Sequence, residues 1–370
     1  MVMAEFSLRD RDFMQRALQL AEKGRFAAHP NPMVGCVLVK NDTIVGEGWH
    51  QRIGEAHAEP NALEAAGDAA QGATAFVTLE PCAHHGKTPP CCDALIDAGV
   101  AEVVIAREDP NPSVNGQGIA RLEEAGITVR SGLMQREADM LMAGFLSRMQ
   151  RHRPRVRLKI ACSLDGRIAM STGESQWITG PEARAEVQEL RASAGAVLTG
   201  VGTVIADDPL LTVRDAELNP DNRQPLRVVL DSHLRMSPIA KMLSLPGETL
   251  IYCCDDSNAE SLDYAGATIA KIAGDNSRVD VGKVLEDLAR REINDVLVEA
   301  GPMVAGRILE QHLVDELVIY QSPTILGSET MGMATTPSWN SLADGMRLTI
   351  IDAVQVGRDM RITAIPEQND

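Results

Sequence analysis

The stretch PCAHHGKTPPCC, residues 81–92, places three cysteines, two histidines and a lysine within twelve positions. Donors of this kind hold a metal, form a redox-active thiol pair, or pack as small side chains. The nearest upstream partner is HAE, His57-Ala58-Glu59, followed by Pro60. Proline is tolerated in the first turn of a helix, so His57 is expected at a helix N-terminus. Cys91 and Cys92 follow Pro89-Pro90 and head a second expected helix, whose positive end favours thiolate over thiol. One imidazole and two thiolates suit Zn2+ with a fourth position open.

An open position on zinc admits water and acidifies it, and a carboxylate two residues from the histidine is placed to carry the proton. Zinc deaminases use this arrangement, in the pattern H-x-E followed by P-C-x-x-C. Here the cysteine after Pro81-Cys82 comes nine residues on, at Cys91, across the insertion AHHGKTPP. From the residues alone, a zinc centre and a buried or redox-active cysteine pair both stay open.

The elements that must position these residues alternate in type. The segment ending at Gly24 mixes charges with apolar residues at helical spacing and lacks a signal-peptide core, so it reads as an amphipathic helix. MVGCVLVKNDTIVGEGWH reads as two strands joined by an Asn-Asp turn, HAEPNALEAAGDAA as a helix and ATAFVTLEP as a strand. CCDALIDAGV is an expected helix stopped by Gly99, followed by strand AEVVIARED, helix GIARLEEAG and strand ITVRSG. A hairpin followed by strand-helix repeats implies a mixed sheet covered by helices on both faces. The most basic run, SRMQRHRPRVRLK, contains a proline and reads as a helix C-terminus with a solvated linker rather than a phosphate patch. The domain boundary is set there, between residues 1–150 and 151–370. Strands RVRLKIACSL, GAVLTG, LRVVLD, TLIYCC, INDVLVEAG and DELVIYQSP follow, with helices from Pro181 and over MVAGRILEQHL.

A length of 370 residues favours two domains, and 44% apolar content is ample for their cores. A net charge of −17 excludes a general nucleic-acid or anionic-membrane surface. No apolar run approaches the ~20 residues of a membrane span. The protein is expected in the cytoplasm, where seven cysteines do not make a disulfide framework.

Taken together, HPNPMVGCVLV, GEGWHQRIGEAHAEPNAL, TLEPCAHHGKTPPC, DPNP and NGQGIARLEEAGI resemble the deaminase half of the bacterial riboflavin-biosynthesis RibD family. The resemblance implies His57, Cys82 and Cys91 as zinc ligands and Glu59 as general acid/base. It implies Asn31, His50 and Lys87 as contacts to a pyrimidine carrying a ribose phosphate. Cys92 is left as a packed neighbour, and His84 and His85 as loop residues.

The second half has no cysteine-histidine cluster, so its chemistry must come from a bound reagent. NDVLVEAGPMVAGRIL runs a strand into Glu299, a glycine-containing turn and a helix, a shape that serves either as a phosphate site or as an ordinary tight turn. LKIACSLDGRIA, SQWITG, LRASAGAVLTGVGTVIADDPLLTVR, VVLDS and LVEAG resemble the reductase half of the same family. That likeness implies NADPH as cofactor, contacted by Ala161, Trp177, Thr203, Asp207, Ser232 and the turn Gly301, Pro302, Met303, Val304, Ala305, Gly306 and Arg307. It implies Ser175, Arg191, Leu211, Arg214 and Glu299 as substrate contacts, with Arg191 and Arg214 as a phosphate clamp. Lys159 and Asp165 flank the first strand and are left outside this set. The implied architecture is α/β throughout: an N-terminal cytidine-deaminase-like α/β/α domain plus a C-terminal dihydrofolate-reductase-like α/β domain. The implied activity is deamination of 2,5-diamino-6-ribosylamino-4(3H)-pyrimidinone 5′-phosphate, then reduction to 5-amino-6-(ribitylamino)uracil 5′-phosphate, by a homo-oligomer. An RNA-editing deaminase is disfavoured by the acidity and by 3% aromatic content. A structural zinc scaffold is disfavoured by a set of three ligands with Glu59 beside it.

Overall fold

In the computed structural model, residues 6–83, 89–111, 114–219, 222–336 and 341–367 are described. The chain divides into two units, Met1–His152 and Arg153–Asp370.

The first unit runs α1 (Leu8–Glu22), β1 (Gly35–Lys40), β2 (Thr43–Trp49), α2 (Ala58–Ala66), β3 (Thr74–Val77), α3 (Cys91–Asp97), β4 (Glu102–Ile105), α4 (Gln117–Glu124), β5 (Thr128–Ser131), α5 (Gln135–Leu141) and α6 (Ala143–Arg151). Ser7 and Asp10 form a capping box that starts α1. The sheet order is β2-β1-β3-β4-β5. The first three strands pair antiparallel and β3, β4 and β5 pair parallel. Asn41 and Asp42 take φ of 51° and 59° in the hairpin turn, as its right-handed twist requires. Because side chains alternate across a strand, the inner strands supply both faces. Val37, Val39, Phe76 and Val104 pack with Met14, Leu18, Met142 and Phe145 on one side. Cys36, Leu38, Val77 and Ile105 pack with Ala58, Ala62, Cys92, Leu95 and Leu122 on the other.

That second face carries the sequence-predicted chemistry. The inward positions of edge strand β2 are Gly46 and Gly48, and both are buried. A Cβ on Gly48 would run into the Ala58 carbonyl oxygen and the Ala62 nitrogen, and one on Gly46 into the Ala62 carbonyl oxygen. Helix α2 therefore lies directly on strand backbone, which fixes the height of its first turn. Replacing Gly48 with valine should lift α2, destabilise this unit by about 1–3 kcal/mol or more, and lower bound zinc, as read by thermal melting and metal analysis.

The second unit contains β6 (Arg155–Ser163), β7 (Arg167–Ala169), α7 (Pro181–Ala192), β8 (Ala196–Gly200), α8 (Val201–Asp207), β9 (Leu226–Leu230), β10 (Thr249–Cys253), α9 (Glu260–Tyr264), β11 (Thr268–Lys271), α10 (Val281–Arg290), β12 (Asp295–Val298), α11 (Pro302–Glu310), β13 (Glu316–Ser322), β14 (Met331–Gly332), β15 (Leu348–Val356) and β16 (Asp359–Pro366). Nine strands form one sheet, β11-β10-β9-β8-β12-β6-β13-β16-β15, and β7 pairs with β14 separately. The sheet is parallel as far as β13 and antiparallel through β16 and β15. Val156, Leu158, Val296 and Val298 face a core with α10 and α11, while Val197, Val229, Ile251 and Leu297 face the opposite one.

The basic run does structural work within each unit. Arg148 and Arg151 stand in the last turn of α6, where cations suit the helix dipole. Arg153 forks onto Asp315 at 2.8 Å through both nitrogens, and Arg155 pairs with Glu316. Arg227 is 1% exposed. Its guanidinium donates to Thr249 Oγ1 (3.0 Å) and to the carbonyls of Leu245 (3.3 Å), Pro246 (2.8 Å) and Gly247 (2.6 Å). An Arg227→Met variant strands those carbonyls and should cost about 1–3 kcal/mol per buried acceptor left unsatisfied, measured by denaturant unfolding.

Candidate functional site

His57 is the N-cap of α2 and Cys91 the first residue of α3. Cys82 follows β3 and reaches the same point. His57 Nδ1 lies 3.3 Å from Cys91 Sγ and 3.7 Å from Cys82 Sγ, and the three donor atoms all lie within 4.8 Å of one another. Tetrahedral zinc bonds of ~2.0–2.1 Å to nitrogen and ~2.3 Å to sulfur require ligand separations of about 3.6–3.8 Å, so the donor set fits zinc in type and spacing. Among the described residues this is the one such cluster of three donors.

The electrostatics agree. Cys82 is pulled down to about 4 by the Cys91 thiol, with His57 and the Cys91 amide adding to the effect against burial. Cys91 is pushed up in return by the hydrogen bond it gives Cys82. The pair shares a proton, which a bound cation displaces. Glu59 is 3% exposed. Burial, then the Cys82 thiolate, raises its carboxyl pKa from the ordinary carboxylate value, in the direction that suits a group which accepts and returns a proton.

Asn31 and His50 come together beside this centre. His50 Nδ1 faces the Ala56 carbonyl at 3.1 Å, and its Nε2 lies 3.0 Å from Asn31 Nδ2. A carbonyl only accepts, so Nδ1 carries the proton and Nε2 accepts from the Asn31 amide. Burial lowers the His50 pKa, which keeps this neutral tautomer. His50 is 2% exposed and, with both ring nitrogens engaged, holds the Asn31 amide in place. Lys87, His84 and His85 lie outside the described residues. Cys92 is buried, its thiol on the Pro81 carbonyl at 3.2 Å, so it points away from the donor set.

In the second unit the chain steps from β8 outward through β9, β10 and β11, then returns to insert β12 between β8 and β6. Such a reversal opens a crevice at the carboxyl ends of the strands. Helix α8 starts directly after β8, and α11 starts after β12 with Gly301 as its N-cap. Gly301 N–H donates to Thr203 Oγ1 at 3.0 Å, so these two cofactor candidates meet. The expected turn 301–307 is the N-cap and opening of α11, in which Met303 is 54% exposed while Ala305 is fully buried in the core. Ser175 donates to Asp207 at 3.2 Å. Trp177 is 66% exposed and lies under the Arg184 guanidinium, 4.6 Å from its ring centre. Ser232 lies two residues past β9 and accepts the Val279 N–H through Oγ at 3.1 Å. Ala161 lies in β6 opposite Tyr320. Leu211, 3% exposed, takes a φ of 51°.

The expected pair of phosphate-clamping arginines divides. Arg191 forks onto Glu299 at 2.6 and 3.0 Å and gives its remaining nitrogen to the Thr212 carbonyl at 3.1 Å. A largely enclosed carboxylate, its side chain 11% exposed, takes the guanidinium fork, and a phosphate would have to displace it. Arg214 is exposed, and its backbone amide donates to Gln188 Oε1 at 2.8 Å; partial burial, then Arg191 repulsion, lowers its pKa against the attraction of Glu299. Lys159, left aside in the sequence, stands 3.9 Å from Glu299. Its signal was a charged residue inside the strand RVRLKIACSL, whose neighbours are core. Glu80 was also missed; an acidic residue in the otherwise apolar TLEP was its signal.

The cytidine and deoxycytidylate deaminase zinc-binding region matches residues 8–107, and the RibD C-terminal domain matches residues 154–362. The Escherichia coli riboflavin biosynthesis protein RibD is 49% identical over 95% of this chain and 98% of its own length. That of Haemophilus influenzae is 45% identical over 99% and 100%. The solved structure of Acinetobacter baumannii RibD superposes with a TM-score of 0.90 at 43% identity, covering 97% of this chain and 99% of that one. A Thermotoga maritima diaminohydroxyphosphoribosylaminopyrimidine deaminase/5-amino-6-(5-phosphoribosylamino)uracil reductase gives 0.85 at 33% identity over 97% and 99%. The chain therefore belongs to the RibD family of riboflavin biosynthesis, bifunctional enzymes that join a cytidine-deaminase-like zinc domain to a dihydrofolate-reductase-like, NADPH-dependent one.

Proposed function

We propose that residues 1–150 deaminate 2,5-diamino-6-ribosylamino-4(3H)-pyrimidinone 5′-phosphate and residues 151–370 reduce the product's ribosyl group to the ribityl chain, in the cytoplasm and as a homo-oligomer. The observation that carries this reading is the convergence of His57, Cys82 and Cys91 beside a buried Glu59. Zinc, when bound by these three residues, supplies an acidified water and NADPH supplies the hydride. Glu59, beside the zinc ligands, would carry a proton from the attacking water to the ring nitrogen and the departing amine. Asn31, held by His50, orients the pyrimidine through its carbonyl oxygen, and Lys87 belongs to the same contacts. In the second unit Arg214 takes the substrate phosphate, while Glu299, fixed by Arg191, and Ser175 and Leu211 shape the substrate side of the crevice. Thr203, Asp207, Ser232, Trp177, Ala161 and the start of α11 from Gly301 to Arg307 hold the dinucleotide, so the protein's task there is orientation and exclusion of water. The outer strand β15 leaves Ile350 62% and Ile351 55% exposed, which supports association of copies.

The test is ammonia release from the diaminopyrimidine phosphate followed by loss of NADPH absorbance; absence of both with zinc-loaded protein sinks the reading. Glu59→Gln should bind zinc at wild-type stoichiometry, lose deamination by about 10²–10⁴-fold, and still reduce pre-deaminated substrate. Cys92→Ala should retain its zinc by metal analysis. Arg214→Ala should raise the reductase KM roughly 10–100-fold with NADPH affinity unchanged, measured by steady-state kinetics and cofactor titration.

A further inference from the structure

The segment carrying Cys82 is tied down from one side by a set of contacts that the reaction itself does not use. Glu80 is 3% exposed, and its carboxylate accepts four backbone N–H groups. Oε2 takes Asp109 and Gly116, each at 3.1 Å, and Oε1 takes Gly118 at 2.9 Å and Ile119 at 3.3 Å. These donors span the loop before α4 and its first turn.

The next three carbonyls are held as well. Pro81 O accepts the Cys92 thiol at 3.2 Å, Cys82 O the Cys92 amide at 3.2 Å, and Ala83 O the Arg121 guanidinium at 3.2 Å. Arg121 pairs in turn with Asp93 of α3 at 2.6 Å. Gly118 lies so close that a Cβ there would strike the Pro81 carbonyl oxygen.

We propose that Glu80 is a positioning residue for the zinc centre: through the loop 109–119 it immobilises the Cys82 backbone and so sets how tightly and in what geometry zinc is held. The inference rests on the zinc reading above. A carboxylate is required because four donors converge on two oxygens. A glutamine satisfies two of them and turns its own N–H2 toward the other pair. A metal ligand borne on a segment between strand and helix gains its precision from such outer contacts, whose loss typically weakens metal binding about 10–100-fold.

Full-length Glu80→Gln should show zinc affinity lowered about 10–100-fold by chelator competition, faster zinc release, and a shifted visible spectrum when Co2+ replaces zinc. Its reduction of pre-deaminated substrate should stay at the wild-type rate. Gly118→Ala, whose Cβ would strike the Pro81 carbonyl oxygen and crowd the Glu80 carboxylate, should shift the Co2+ spectrum likewise. Glu102→Gln, which removes the 2.6 Å ion pair with Arg130 in the same sheet, should leave zinc affinity and spectrum unchanged. The proposal is overturned if Glu80→Gln keeps wild-type affinity and spectrum, or if Glu102→Gln loosens zinc equally, since the effect would then be general destabilisation. Should the wild-type chain itself take up no zinc, the zinc reading fails first and this inference with it.

Discussion

Helix α2 lies on the bare backbone of β2, and the first site depends on that contact. A side chain at Gly46 or Gly48 would raise the helix and carry His57 and Glu59 with it. The second helix, α3, packs on the same face through Leu95 and Cys92. Two helix N-termini thus meet over one sheet, and their unpaired N–H groups favour negative charge between them. One of those groups, the Cys91 amide, points at the Cys82 sulfur from 3.4 Å. A site that gathers two thiolates and a carboxylate in a buried place needs such a field, because burial alone would keep every one of them protonated.

The second unit solves a related problem with side chains instead of helix ends. Glu299 stands just past β12 with its side chain 11% exposed, an expensive place for a charge. Arg191 answers it with a fork and Lys159 with a nearby ammonium. Arginine, lysine and carboxylate together fix the floor of the crevice, and the turn after Glu299 delivers Gly301 to Thr203. Thr203 and Gly301, which follow the adjacent strands β8 and β12, are thereby tied to one another. The rigid parallel sheet holds the geometry that hydride transfer requires.

Much of this was legible in the residues. The continuous apolar run in GCVLVK, the Asn-Asp turn and the glycine stops located most elements of the first unit, because local backbone preferences and burial agree there. In the second unit the C-terminal hairpin was not read from sequence. Strand β15 keeps Ile350, Ile351 and Val354 on exposed positions, so the two-residue apolar alternation that marks a half-buried strand is absent. Helix α8 was hidden too, since its residues continue the apolar run of β8 without a loop.

The sequence by itself determined the donor types, the two-residue spacing of His57 and Glu59, and the placing of His57 and Cys91 at helix starts. These depend on neighbours along the chain. Tertiary structure decided which cysteine turns inward: Cys91 meets His57 while Cys92 bonds the Pro81 carbonyl. It decided that Arg191 belongs to Glu299, that His50 serves Asn31, and that Glu80 gathers a loop about thirty to forty residues downstream, with sequence separations of 29 to 39. A charged or hydrogen-bonding side chain carries no record of its partner in local sequence, because the partner is chosen by whichever distant element packs within about 3 Å of it.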